Sequence, residues 1–93
     1  MPLTGSQRRA LRALGHHLVP VVQVGQAGIT EGVIGAVQQA LETHELIKVK
    51  VQPEERREAA EQLAQATGSE LAQLLGRTVL LYRPRKDDPK IVV

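Results

Sequence analysis

A chain of 93 residues has room for one domain and one modest core, since a chain of this size buries roughly 60–65% of its unfolded surface. Its 42% hydrophobic and 24% charged residues suit a folded globular domain, and the absence of cysteine excludes disulfides, thiol catalysis and cysteine-ligated zinc. No apolar run approaches the ~18 residues of a membrane span. The net charge is only +2, yet it is unevenly placed. No acid precedes Glu31, whereas Arg8, Arg9 and Arg12 have already appeared. Arg77 to Lys90 holds five basic residues against Asp87 and Asp88, and the remaining acids gather in the middle of the chain. Segregation of this kind points to one basic face and a polyanionic partner. The acid-free start also has the charge of an organellar transit peptide, but Ser6 is its only serine and its removal would cut into the core, so a cytoplasmic protein is expected.

From the amino end, "LTGSQRRALRALGHH" opens on Thr4 and Gln7, the spacing of a capping box. On the helix that follows, Ala10, Leu11 and Leu14 share a core side, while Arg8, Arg12 and His16 line the other with Arg9 beside them. Such a stripe is either a solvated face or part of a binding surface. "LVPVVQVG" is a β-branched run of strand length with Pro20 near its start. Thr30 then caps a second helix through about His44, with Val33, Val37, Ala40 and Leu41 on its buried line and His44 at the core edge.

"ELIKVKV" alternates, with Ile47, Val49 and Val51 facing one way and Leu46, Lys48 and Lys50 the other. "QPEERREAAEQLAQATG" is a third helix with Pro53 in its first turn, Ala60, Leu63 and Thr67 buried, and Gly68 closing it. "ELAQLLGRTVLLYR" reads as a hairpin turning at Gly76-Arg77. The expectation is one α/β two-layer domain over 1–84, helix-strand-helix-strand-helix-strand-strand with a mixed four-stranded sheet. A mostly polar tail follows over 85–93, of which Ile91 to Val93 could dock.

Enzymatic chemistry finds little support. Ser6 and Ser69 sit beside glycines as turn residues do, and neither has a histidine placed to activate it. His16 and His17 lie about 100° apart on a helix, the wrong arrangement for one metal. No catalytic residue, metal or cofactor is expected. The joint "GQAG", Gly25 to Gly28, is more telling, because it follows a strand and precedes a capped helix. It lacks both the dinucleotide-binding glycine spacing and the lysine of a P-loop, which disfavours nucleotides and other small ligands. Glycines let a phosphate backbone approach bared amides closely. With Tyr82 as the sole aromatic, base stacking is effectively excluded, so recognition would use phosphates, 2′-hydroxyls and shape.

Three separated stretches, "LGHHLVPVVQVGQAGITEGV", "ALETHELIKVKV" and "LLGRTVLLYRP", resemble the successive signatures of the YhbY family, the stand-alone bacterial form of the CRM (chloroplast RNA splicing and ribosome maturation) domain. The resemblance runs from about Leu3 to Pro84. It implies a fold similar to the carboxy-terminal domain of translation initiation factor 3. It also implies an RNA-binding role on ribosomal RNA of large-subunit precursors; the expectation is a non-catalytic monomer that assists ribosome assembly. Carried over, the RNA surface would be Gly25, Gln26, Ala27 and Gly28 with the basic helix residues Arg8, Arg9, Arg12 and His16. On that basis Gly28→Asp should weaken RNA binding while leaving the fold intact. Relatives often carry lysine, serine or asparagine between the glycines, so the uncharged Gln26-Ala27 here must rely on amides and on arginines from elsewhere. Lys48, Lys50, Arg77, Arg83, Arg85 and Lys86 are further candidates; Lys48 and Lys50 equally suit a soluble sheet face or edge. The alternative is an adaptor whose basic face meets an acidic protein.

Overall fold

Helix starts leave N–H groups unpaired, and the first one here is satisfied as its sequence suggests. In the computed structural model, which describes residues 3–93, Thr4 Oγ1 accepts from the Gln7 N–H at 3.1 Å and Gln7 Oε1 accepts from the Thr4 N–H at 2.9 Å. Helix α1 (Gly5–Gly15) follows, then β1 (Pro20–Val24), α2 (Glu31–His44), β2 (Leu46–Val51), α3 (Arg56–Thr67), β3 (Glu70–Leu75) and β4 (Thr78–Tyr82). This is the expected order. Thr30 caps α2 by accepting from the Val33 N–H, and Gly68 ends α3 in the left-handed region. Pro53 does not enter the first turn of α3 but lies in the loop before it.

The sheet order is β1-β2-β4-β3, with β1 and β2 parallel and the other neighbours antiparallel. Alternation decides what each face buries. Ile47, Val49 and Val51 of β2 join Val24, Val79 and Leu81 beneath α2 and α3, where Val37, Leu41, Ala60 and Leu63 complete the main core. Leu46, Leu80 and Tyr82 point the other way and pack with Ala72 against Leu11 of α1. The two-layer expectation is therefore amended, since α1 forms a third layer on the second face of the sheet. The reason is that this face carries apolar residues at β2 and β4 that need cover from water. Close approach there depends on Gly15, where an added Cβ would stand 2.7 Å from Leu80 Cδ1.

The cover is incomplete. Leu14, expected in the core, is exposed, as is His44.

The end of the chain is held by a residue that periodicity does not single out. Glu45 follows α2 with φ 64° and is 1% exposed. Its carboxylate accepts from the N–H groups of Arg85 at 2.9 Å, Lys90 at 2.6 Å and Ile91 at 3.1 Å. Burial alone would raise this carboxyl, but the three N–H groups and the nearby Arg85 charge outweigh it and hold the group below the ordinary glutamate value. Segment 85–91 is thus docked on the domain, with Ile91 packed against the α1 cluster.

Candidate functional site

The two parallel strands β1 and β2 end together, and the β3–β4 hairpin turns at the same end of the sheet. After the buried Val24 the chain leaves the sheet in a tight turn, in which the Gly28 N–H donates to the Gly25 carbonyl at 3.0 Å. Gly28 has φ +82°, a conformation that side chains rarely adopt, so the fold itself asks for glycine there. Gly25 is different. Its φ is not positive and an added Cβ would meet nothing within 4 Å. Gln26 and Ala27 form the exposed tip, and their N–H groups have no partner among the described residues.

The start of α2 contributes less than its position suggests. Thr30 already takes the Val33 N–H, and Glu31 occupies the first turn. A negative charge there already answers the helix dipole, so an incoming anion would be drawn by the loop amides and by neighbouring cations.

Two of the sequence candidates supply those cations. Lys50 is exposed and lies opposite Gln23, two residues before the loop. Arg77 sits on the hairpin, where its carbonyl accepts from the Val51 N–H at 2.8 Å and its guanidinium donates to the Gln52 carbonyl. The Gln52 N–H in turn donates to the Val24 carbonyl at 2.9 Å, which ties the hairpin to the loop. A guanidinium has five donors, so most of Arg77 stays available. Lys48, half-buried, is set further back beside Pro20 and Leu80.

The α1 stripe divides. Arg9, Arg12 and His16 are exposed, but Arg8 is half-buried and its Nη1 donates to the Leu71 carbonyl of β3 at 2.9 Å. Arg8 therefore fastens α1 to the sheet.

The remaining candidates stand at the opposite end, one strand length or roughly 17 Å away. Arg83 donates to the Thr67 carbonyl at 2.7 Å and the Gln38 carbonyl at 3.3 Å, joining α3 to α2. Arg85 is engaged through its backbone with Glu45 and through Nη2 with the Asp88 carbonyl at 3.3 Å. Lys86 is exposed on the docked segment. The structure thus gathers Gly25–Gly28, Lys50 and Arg77 at one end and leaves Arg83, Arg85 and Lys86 at the other. Sequence reasoning passed over Glu45, whose only advance signal is a glutamate directly after the end of a helix.

The chemistry available is recognition of a charged backbone. Tyr82 is buried, so it offers no stacking platform. Among the described residues, no three His, Cys, Asp or Glu residues are grouped to hold a metal.

A Bacillus subtilis (strain 168) protein named "Probable RNA-binding protein YqeI" is 41% identical over 92 residues, which is 96% of each chain. A Pseudomonas aeruginosa protein, likewise named a probable RNA-binding protein, is 41% identical over 86 residues, covering 89% of this chain and 83% of its own. The solution structure of the hypothetical protein SAV1595 from Staphylococcus aureus superposes with a TM-score of 0.85 at 41% identity, over 98% of each chain. The model of one family, the CRS1 / YhbY (CRM) domain, matches residues 3–83. With nearly the whole described chain matched and the same fold found in a relative, this protein belongs to the CRS1 / YhbY (CRM) domain family.

Proposed function

We propose that this protein binds RNA without catalysing a reaction. Its RNA would be that of large ribosomal subunit precursors, whose assembly it assists as a cytoplasmic monomer. The observation that carries the RNA reading is the open turn at Gly25–Gly28, with unpartnered amides at its tip and Lys50 and Arg77 beside it. A phosphate seated there would meet N–H donors and cations together, the combination that positions a nucleic-acid backbone. The names of the relatives support the same reading. With Tyr82 buried and no Phe or Trp in the sequence, affinity rests on phosphates and shape, which favours structured RNA over a base-by-base code.

The test of the ribosomal part is sedimentation of native protein from cell extract through a sucrose gradient, with and without ribonuclease. Migration with large-subunit precursors that disappears on RNA digestion is the expected result. A position at the top of the gradient in both runs would reject stable association with those particles.

A further inference from the structure

Among the described residues, seven large hydrophobics are exposed, and four of them lie together: Leu14, Leu18, Val19 and Val21, from 37% exposed at Leu18 to 72% at Val19. They follow the end of α1, its connection to β1, and β1 itself. With Leu46 at the side and Lys48 above, they line an open groove of about 350 Å³ on the face of the sheet that α1 leaves uncovered. Leaving this much aliphatic surface in water is unfavourable by about 25 cal/mol for each Å², and contiguous exposed patches of this kind mark contact sites.

The charges around the groove select the occupant. Its lining includes His44 and Lys48 but no acid, and Lys50 follows Lys48 along the same face of β2. A second copy packed face to face would bring two basic rims to one seam, each with Lys48 and no acid in the groove to offset it. RNA is a poor fit, because the walls are mostly aliphatic and hold no Phe, Tyr or Trp ring for a base. A backbone-paired strand is also disfavoured, since Pro20 and the register shift between Pro20 and Val22 blunt the β1 edge. What remains is a segment held by its side chains.

We propose that the groove docks an amphipathic helix of another protein, with apolar residues on the buried side and Asp or Glu along the flank that meets Lys48 and Lys50. Leu14, Leu18 and Val21 would receive the apolar side chains, as in other helix-in-groove complexes. This goes beyond the RNA reading and shares only Lys50 with it, so a variant such as Val21→Glu, which leaves Lys50 in place, separates the two.

Val19 points into solvent at the rim, so Val19→benzoylphenylalanine places a photo-crosslinker there without touching the core. Crosslinking in cells followed by mass spectrometry identifies the neighbouring segment, and a synthetic peptide of that segment is then titrated against the purified protein. The expected result is one protein segment with apolar residues at helical spacing and acidic flanks. Its peptide should bind the wild-type chain and bind Val21→Glu at least about tenfold more weakly, while the RNA affinity of Val21→Glu stays within about twofold of wild type. Crosslinks only to RNA, only to a second copy, or to nothing overturn the proposal. So does a peptide that binds Val21→Glu as well as wild type.

Discussion

The two glycines of the loop make separable predictions. Gly28→Ala forces a side chain into φ +82° and should lower stability by about 1 kcal/mol or more, seen as a reduced Tm. An aspartate at Gly28 meets the same constraint, so the expectation that it would leave the fold intact does not survive the backbone geometry. Gly25→Ala is the cleaner probe. It should leave Tm unchanged or slightly raised, and weaken RNA binding if a phosphate backbone comes as close as the open turn allows. Equal binding by Gly25→Ala and wild type would remove Gly25 from the interface. Glu45 answers to pH. Its native carboxyl titrates below the unfolded value, so the hold on segment 85–91 is fully present above the ordinary glutamate range and disappears as pH falls through the lowered native value. Amide exchange at Lys90 and Ile91 should speed up across that acid window in wild type and show no such step in Glu45→Gln. Spacing made the GxxG joint and the capping residues legible, because caps and turns are local chemistry. Glu45 was not legible, since its partners lie 40 to 46 residues away along the chain.

Among the secondary-structure elements, α1 is the informative case. The helical wheel correctly separates the buried Leu11 from the exposed Arg9 and Arg12, yet it assigns Arg8 to the same stripe and Leu14 to the core. What overrides it is the packing partner. Arg8 reaches a β3 carbonyl, and Leu14 projects past the covered part of the sheet into the groove beside β1. Arg8→Ala should therefore cost about 1 kcal/mol of stability by freeing the helix from the sheet edge. Arg9→Glu combined with Arg12→Glu should leave Tm nearly unchanged. If those arginines neutralise phosphates, the double variant should flatten the log–log salt dependence of RNA binding. The slope should fall by about 0.7 for each phosphate no longer neutralised on a single strand, or about 0.9 on a B-form duplex. An unchanged slope would place α1 outside the interface. The strands were more legible than this helix. Their period-2 alternation named both faces of β2, but the helices that would cover those faces depend on topology that no local pattern encodes.

Across the domain as a unit, the basic residues do not form one surface. β4 runs from the hairpin beside the loop to Tyr82, so residues only six positions apart, Arg77 and Arg83, stand at opposite ends of the sheet. Arg83 spends its charge on carbonyls that join α2 to α3, while Lys50 and Arg77 flank the open turn. RNA held at the Gly25–Gly28 end should therefore be sensitive to charge at that end and indifferent to charge at the other. The comparison to make is between Ala27→Asp, at the exposed tip of the turn, and Lys86→Asp at the far end. Both positions are exposed, so both variants should melt as wild type does. In filter binding to large-subunit ribosomal RNA, Ala27→Asp should bind about tenfold more weakly or worse, and Lys86→Asp within about twofold of wild type. Undiminished binding by Ala27→Asp, or a greater loss in Lys86→Asp, would contradict the placement of RNA at the glycine turn.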